Sequence, residues 1–324
     1  MISRGPRTAL TLALASLLAA CGGGSPLPSA SGPATAPEIA ELTVGTLPIV
    51  DVAPVHIAIA EGLFAAEGLT VTTEVMQGGA AAIPALQGGD LHIAYGAWPS
   101  FLIANQRGIP LRAVADGTAA APRFSVFMAA AGSELEGNPA AMAGARVALN
   151  TLGNIGELVL RETLADAGLE FDDVVAVELP FPEMAGALAA GRVDVIWASE
   201  PGVTTAADEG AVTVADSYLD EMAGFPVAGY FVTAEFAAQH PRTVAAFSRA
   251  LAAAVEIANE DPAAVVEIVQ TYTELPPLVV ERIAFPAYRG QMEAASLGRV
   301  YAELRRFDMI DAGLDVRALL LDGD

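Results

Sequence analysis

The sequence contains no lysine; its 16 basic side chains are all arginine, set against 39 acidic ones. That excludes a P-loop lysine, a Schiff-base lysine and a Ser-Lys dyad. The formal charge of −23 also removes the basic face with which nucleic-acid binders displace counterions, so no nucleic-acid partner is expected. Cys21 is the only cysteine, which rules out an internal disulfide. No apolar run reaches the ~20 residues needed to cross a membrane as a helix. There is no G-x-S-x-G, H-E-x-x-H or G-x-G-x-x-G motif. The three histidines, His56, His92 and His240, lack metal-ligand spacing. No cofactor, metal or catalytic set is therefore expected, and the chain is read as a non-enzyme.

What is present starts with an address. Arg4 and Arg7 precede the apolar stretch Ala9 to Ala20, the pattern of a secretory signal peptide over residues 1–20. Leu18-Ala19-Ala20-Cys21 resembles a bacterial lipobox, so Cys21 is the expected lipidation site and the membrane anchor. Residues 22–37 hold only Gly, Ser, Pro, Ala and Thr apart from Leu27. Such a segment cannot bury a core and reads as a tether with a reach of about 20 Å. The rest, 53% hydrophobic over a 324-residue chain, is rich enough for about two folded domains. It is expected outside the cytoplasm, on the outer face of the membrane, as a monomer.

From residue 42 onward, short β-like runs alternate with helical stretches, which predicts an α/β fold around mostly parallel sheets. After residue 240 the pattern turns helical: Pro241 suits a first helical position, and 276–310 also reads as helix. One internal repeat stands out. Residues 85–99 (ALQGGDLHIAYGAWP) and 187–201 (ALAAGRVDVIWASEP) match at an offset of 102, with Ala85/Ala187, Leu86/Leu188, Gly89/Gly191 and Pro99/Pro201 identical. Tyr95/Trp197 is a conservative pair, and Trp98 corresponds to Glu200. A helix end, a glycine stop, a strand and a turn thus occur once in each half. Ligands of open α/β sheets bind outside such strand ends, so two lobes closing on a ligand are expected.

The segments LPIVDVAPVHIAIAEGLFAAEGLTV (47–71), QGGAAAIPALQGGDLHIAYG (77–96), RVALNTLGNIGELVLRETLADAGL (146–169) and VDVIWASEP (193–201) resemble solute-binding proteins. The class is that of the aliphatic sulfonate, taurine and nitrate binders of the NMT1/THI5-like family. The resemblance implies a type II periplasmic-binding fold, two α/β lobes with a ligand cleft between them and C-terminal helices. It implies a first lobe over 38–125 plus 230–324, a second over 126–229, and crossings near Phe124–Ala129 and Gly229–Val232. It further implies an ABC permease and its ATPase subunit as partners, and a sulfonate-like anion or zwitterion as cargo. Relatives that act as single-turnover pyrimidine synthases carry a histidine ten residues before a glycine turn. The corresponding position here, counted from Gly62, is Val52. The alternatives are a binder or single-turnover synthase of a thiamine-precursor pyrimidine type and a ligand-sensing lipoprotein.

Mapped onto these segments, the resemblance nominates a site, and chemistry bears on each residue. Turns at Asp51–Ala53 (with Val52), Gly78–Ala81 (with Gly79 and Ala80), Gly96–Trp98 and Gly153–Ile155 aim backbone N–H groups at the cleft. Helix N-termini there receive an oxyanion without any basic side chain. Thr151 and Asn154 belong to the same stretch, and Asn154 with Glu157 also reads as a helix cap. Trp98 is placed toward the cleft; Trp197 reads equally as cleft wall or core. Asp51 and Glu200 each read as ligand contact or as solvated first-turn acid. If both face the cleft, a bare anion is disfavoured and an amine-bearing or zwitterionic ligand fits better.

Overall fold

The computed structural model describes residues 36–321, except Glu274. Cys21, the signal segment and most of the tether lie outside them. Eleven strands form two sheets. The first contains β1 (Glu41–Thr46), β2 (Thr70–Val75), β3 (Ile93–Ala97), β4 (Leu111–Ala119), β10 (Pro226–Thr233) and β11 (Ala287–Tyr288). The second contains β5 (Ser125–Ala130), β6 (Arg146–Leu149), β7 (Val175–Glu178), β8 (Val195–Ser199) and β9 (Ala211–Asp216). These two sheets, with their helices, are the two α/β lobes.

The sheets share one plan. In the first, β1 runs parallel between β2 and β3, and β10 lies antiparallel between β3 and β4. In the second, β6 runs parallel between β7 and β8, and β5 lies antiparallel between β8 and β9. The repeat seen in the sequence is β3 and β8, which occupy equivalent places and whose preceding helices stop at Gly89 (φ 82°) and Gly191 (φ 65°). Left-handed backbone ends a helix there at no Cβ cost.

β5 and β10 are the strands by which the chain arrives in each lobe from the other. The expected second crossing at Gly229–Val232 is corrected by this pairing: those residues sit inside the first sheet, between Ala94–Gly96 and Arg112–Asp116. The expected first crossing at Phe124–Ala129 is likewise corrected, since Ser125–Ala129 pair within the second sheet, and the chain crosses instead at Ala120–Phe124 and Ser217–Phe225. The two crossings bind each other: Ala120 N–H donates to the Phe225 carbonyl (2.8 Å), and the Phe124 and Tyr218 rings stack at 5.4 Å.

The helix Pro241–Glu260 buries Val244, Phe247, Leu251, Ala254 and Ala258 along one face, against the helices Ala53–Ala60 and Leu63–Ala66 of the first lobe. The expected continuous helix over 276–310 is corrected to two pieces, Pro277–Val280 and Ala294–Arg306, with β11 between them. Pro286 lacks an amide hydrogen and clashes with a preceding turn, which stops a helix there. Among the described residues no helix is long and apolar enough to cross a membrane.

Candidate functional site

A cavity lies where the carboxyl ends of β1, β3, β6 and β8 converge, walled from both lobes. All of the unfilled space within it, mouth included, is ≈ 400 Å³. The part open to the centre of a water-sized sphere is ≈ 30 Å³, room for a water-sized group. Four rings form much of its wall: Tyr95, Phe124, Phe181 and Trp197. Polar groups come from Asp51, Asn150 and Asn154, and from the hydroxyls of Ser125 and Ser199, which are hydrogen bonded to each other at 3.0 Å. Among the described residues no arginine or histidine lines it.

Asp51 sits in the one-turn helix Val50–Val52 after β1 and is 3% exposed. Its Oδ2 accepts from the hydroxyls of Tyr95 (3.0 Å) and Thr118 (3.2 Å). Its Oδ1 is buried and has no partner among the described residues. Burial pushes its pKa up from 3.8 to about 6, although the two hydroxyl bonds pull the other way.

Each of the four nominated turns contributes to the cavity wall, through Asp51, Gly79, Gly96 with Ala97, and Asn154 with Ile155. Gly79 begins the helix Gly79–Gly88 so close to β3 that an added Cβ would meet Gly96 Cα at 2.8 Å. Gly78 serves a different contact: its Cβ would lie 3.1–3.2 Å from Asn150 and Thr151 of the second lobe. Asn154 does two jobs. Its Oδ1 caps the helix Ile155–Asp166 by accepting from Gly156 N–H (2.9 Å), while Nδ2 donates to Asn150 Oδ1 (2.8 Å) and Thr151 Oγ1 (2.7 Å).

Trp197 lines the cavity and anchors its indole N–H on Ser217 Oγ (3.1 Å). The other nominated residues are placed elsewhere. Trp98 does not reach the cavity: it is fully buried, donates to Asp116 Oδ1 (3.2 Å) and fills the space that Gly229 leaves, where a Cβ would come within 2.2 Å of the indole. As the first residue of the helix Trp98–Gln106, it turns into the core of the first lobe.

Glu200 is also outside the cavity wall. Its carboxylate accepts from Thr204 N–H (3.0 Å), Thr204 Oγ1 (2.8 Å) and Ala284 N–H (3.1 Å), which ties the second lobe to the C-terminal segment. Val52 is buried in the first-lobe core, and Ala80, half-buried, lies one residue past the cavity wall. Thr151 is buried beside Gly78. Gly153 (φ 66°) accepts from Ser100 Oγ across the cleft at 3.1 Å, and its N–H goes to Glu157 Oε2 (2.9 Å).

Tyr95, Asn150, Phe124, Phe181, Ser125 and Ser199 line the cavity without having been nominated. A signal for two of them lay in the repeat. Tyr95 and Trp197 are its matched aromatic pair, and Ala97 and Ser199 follow two residues later on the same strand faces.

The sequence matches the family described as NMT1/THI5 like over residues 49–265. No curated protein matches it. Among solved structures it is similar to the alkanesulfonate-binding protein SsuA from Xanthomonas axonopodis pv. citri bound to MOPS. The identity is 20% and the TM-score 0.76, over 88% of this chain and 99% of that one. The periplasmic nitrate-binding protein NrtA from Synechocystis PCC 6803 gives 16% and 0.76, over 88% and 86%. The periplasmic aliphatic sulphonate binding protein SsuA from Escherichia coli gives 17% and 0.69, over 87% and 97%. At these identities the likeness shows a shared fold, the type II periplasmic-binding architecture.

Proposed function

The chain belongs to the NMT1/THI5-like family, and from that membership we propose that it is the solute-binding component of an ABC importer. It captures one small organic molecule between its lobes and delivers it to a permease driven by a separate ATPase subunit. The observation that carries this reading is the cavity at the carboxyl ends of β1, β3, β6 and β8, whose wall comes from both lobes. A solute held there touches both halves at once, so its binding energy favours the closed form over the open one. The open space of ≈ 30 Å³ is small for a solute of several heavy atoms, so the lobes part to admit it. The similar structures named for alkanesulfonate and nitrate support small solutes as the cargo class. The protein acts outside the cytoplasm as a monomer, held to the membrane through a lipid on Cys21.

The test is binding with a measured shape change. Small-angle scattering of the purified protein should show a smaller radius of gyration when a solute is bound, with one solute per chain recovered unaltered. Chemical conversion of the bound molecule would overturn the reading in favour of a single-turnover synthase. For the anchor, Cys21→Ser should move the protein from the membrane fraction to the soluble exported fraction; unchanged membrane retention would refute lipidation at Cys21.

A further inference from the structure

The cavity has one formal charge and it is negative. Asp51 has its Oδ2 occupied by Tyr95 and Thr118, while Oδ1 is buried without a donor. A buried acceptor left unpaired is costly, so native proteins nearly always satisfy such atoms. Among the described residues no arginine or histidine lines the wall to do so, and the sequence has no lysine. The rest of the wall is rich in aromatic faces, which attract cations and planar rings.

Resting on the solute-binding reading, we infer that the cargo presents a protonated amine or a heterocyclic N–H to Asp51 Oδ1, with its body among the rings of Tyr95, Phe124, Phe181 and Trp197. A bare oxyanion is not the cargo. A zwitterion qualifies only through its amine.

The groups around Asp51 leave its charge uncompensated. Tyr95 on β3, Tyr218 on the second crossing, Tyr230 on β10, Tyr272 on the helix Pro262–Thr273 and Tyr288 on β11 all feel it. All five have pKa values raised by burial and stay neutral. His56, stacked on Tyr272 at 4.1 Å, is pushed down to about 4 by burial and carries no charge near neutrality. Glu200, whose carbonyl accepts from Val50 N–H (3.0 Å), brings a second carboxylate rather than a cation.

The experiment is calorimetric titration of the purified protein with six probes. Benzylamine, 4-aminopyridine and taurine carry nitrogen donors; methanesulfonate, benzenesulfonate and nitrate do not. At least one of the three probes with an N–H donor should bind. Asp51→Asn should weaken it by about 10- to 100-fold, the worth of one hydrogen bond to a charged group, with the variant's folding checked by its melting curve. A second measurement needs no variant. Benzylamine, cationic throughout, should bind the wild type more tightly as the pH rises through about 6 and Asp51 ionises. An anion that needs a protonated Asp51 as donor would show the opposite slope. Binding by the three anions without an N–H donor alone, or that opposite slope, overturns the inference and leaves the solute-binding reading intact. Silence from all six probes, with no compaction, overturns both.

Discussion

Asp51→Asn should make the protein more stable at neutral pH, while it weakens binding. The Asp51 carboxyl has its pKa raised by burial from 3.8 to about 6 in the folded chain. Between those values the native state holds a proton that the unfolded state has released, so stability falls as pH rises. The favourable contribution is fully present below 3.8 and is lost once pH passes about 6. At ~1.36 kcal/mol for each tenfold change in proton affinity, ionised Asp51 costs roughly 3 kcal/mol. Asparagine keeps an acceptor for Tyr95 and Thr118 and removes the charge. For a folded body of roughly 290 residues, at ~2.1 cal/mol/K of unfolding entropy per residue, the gain corresponds to a melting temperature higher by about 5 °C. The assay is a pair of melts, wild type and variant, at neutral pH and again below 3.8, where the gap should close. Asp116, also raised to about 6 by burial, titrates in both proteins and cancels in the comparison. A gap independent of pH, or a variant less stable at neutral pH, would refute the reasoning. Stability given up at a buried charge is the usual mark of a site kept for function.

Three further outcomes follow from the packing. Gly229→Ala should cost about 1–3 kcal/mol by overpacking, because its Cβ meets the Trp98 ring at 2.2 Å and the Ala115 carbonyl at 2.6 Å; a shifted urea midpoint with unchanged slope measures it. The two tryptophans should separate by fluorescence: solute binding alters emission when Trp98→Phe leaves only Trp197, and leaves it unaltered when Trp197→Phe leaves only Trp98. The reverse pattern would contradict the placement of both rings. Glu200→Ala should destabilise by roughly 2 kcal/mol, since it orphans the buried donors of Thr204 and the half-buried N–H of Ala284. Its effect on benzylamine affinity should be much smaller than that of Asp51→Asn, and an equal loss would place Glu200 in the site.

The sequence was most readable where local chemistry and global fold agree. Glycine stops at 89 and 191, with an apolar strand after each, marked β3 and β8 at a constant offset. The hinge strands were not legible. β5 and β10 are buried on both faces, as β3 and β8 are, but no internal repeat marks them, and their antiparallel pairing joins residues more than 65 apart in the chain. Site residues failed for a related reason. The four turns were nominated through the family resemblance, and three of them carry a glycine just before a helix. Whether Trp98 faced inward depended on the void at Gly229, a residue 131 positions away, which no local pattern encodes. Glu200 looked like a solvated first-turn acid or a ligand contact. The distant Ala284 N–H made it a buried clasp instead.

The contest between an anion and a nitrogen-bearing cargo comes down to magnitudes. Helix N-termini at Gly79, Ala97, Asn154 and Phe181 border the cavity, and each favours an anion by ~0.3–1 kcal/mol, up to ~2 when partly buried. Asn154 already spends its side-chain oxygen on its own helix. An ionised Asp51 opposes an anion about 4 Å away by ~4 kcal/mol at an effective dielectric near 20, and favours a cation by as much. The carboxylate therefore outweighs any one helix end and offsets all four at ~1 kcal/mol each. The wider field points the same way, because a chain of formal charge −23 repels small anions at long range and draws in cations, within the ~8 Å Debye length of physiological salt. An oxyanion would have to bring a proton with it to bind here, whereas an amine brings the donor that Asp51 lacks.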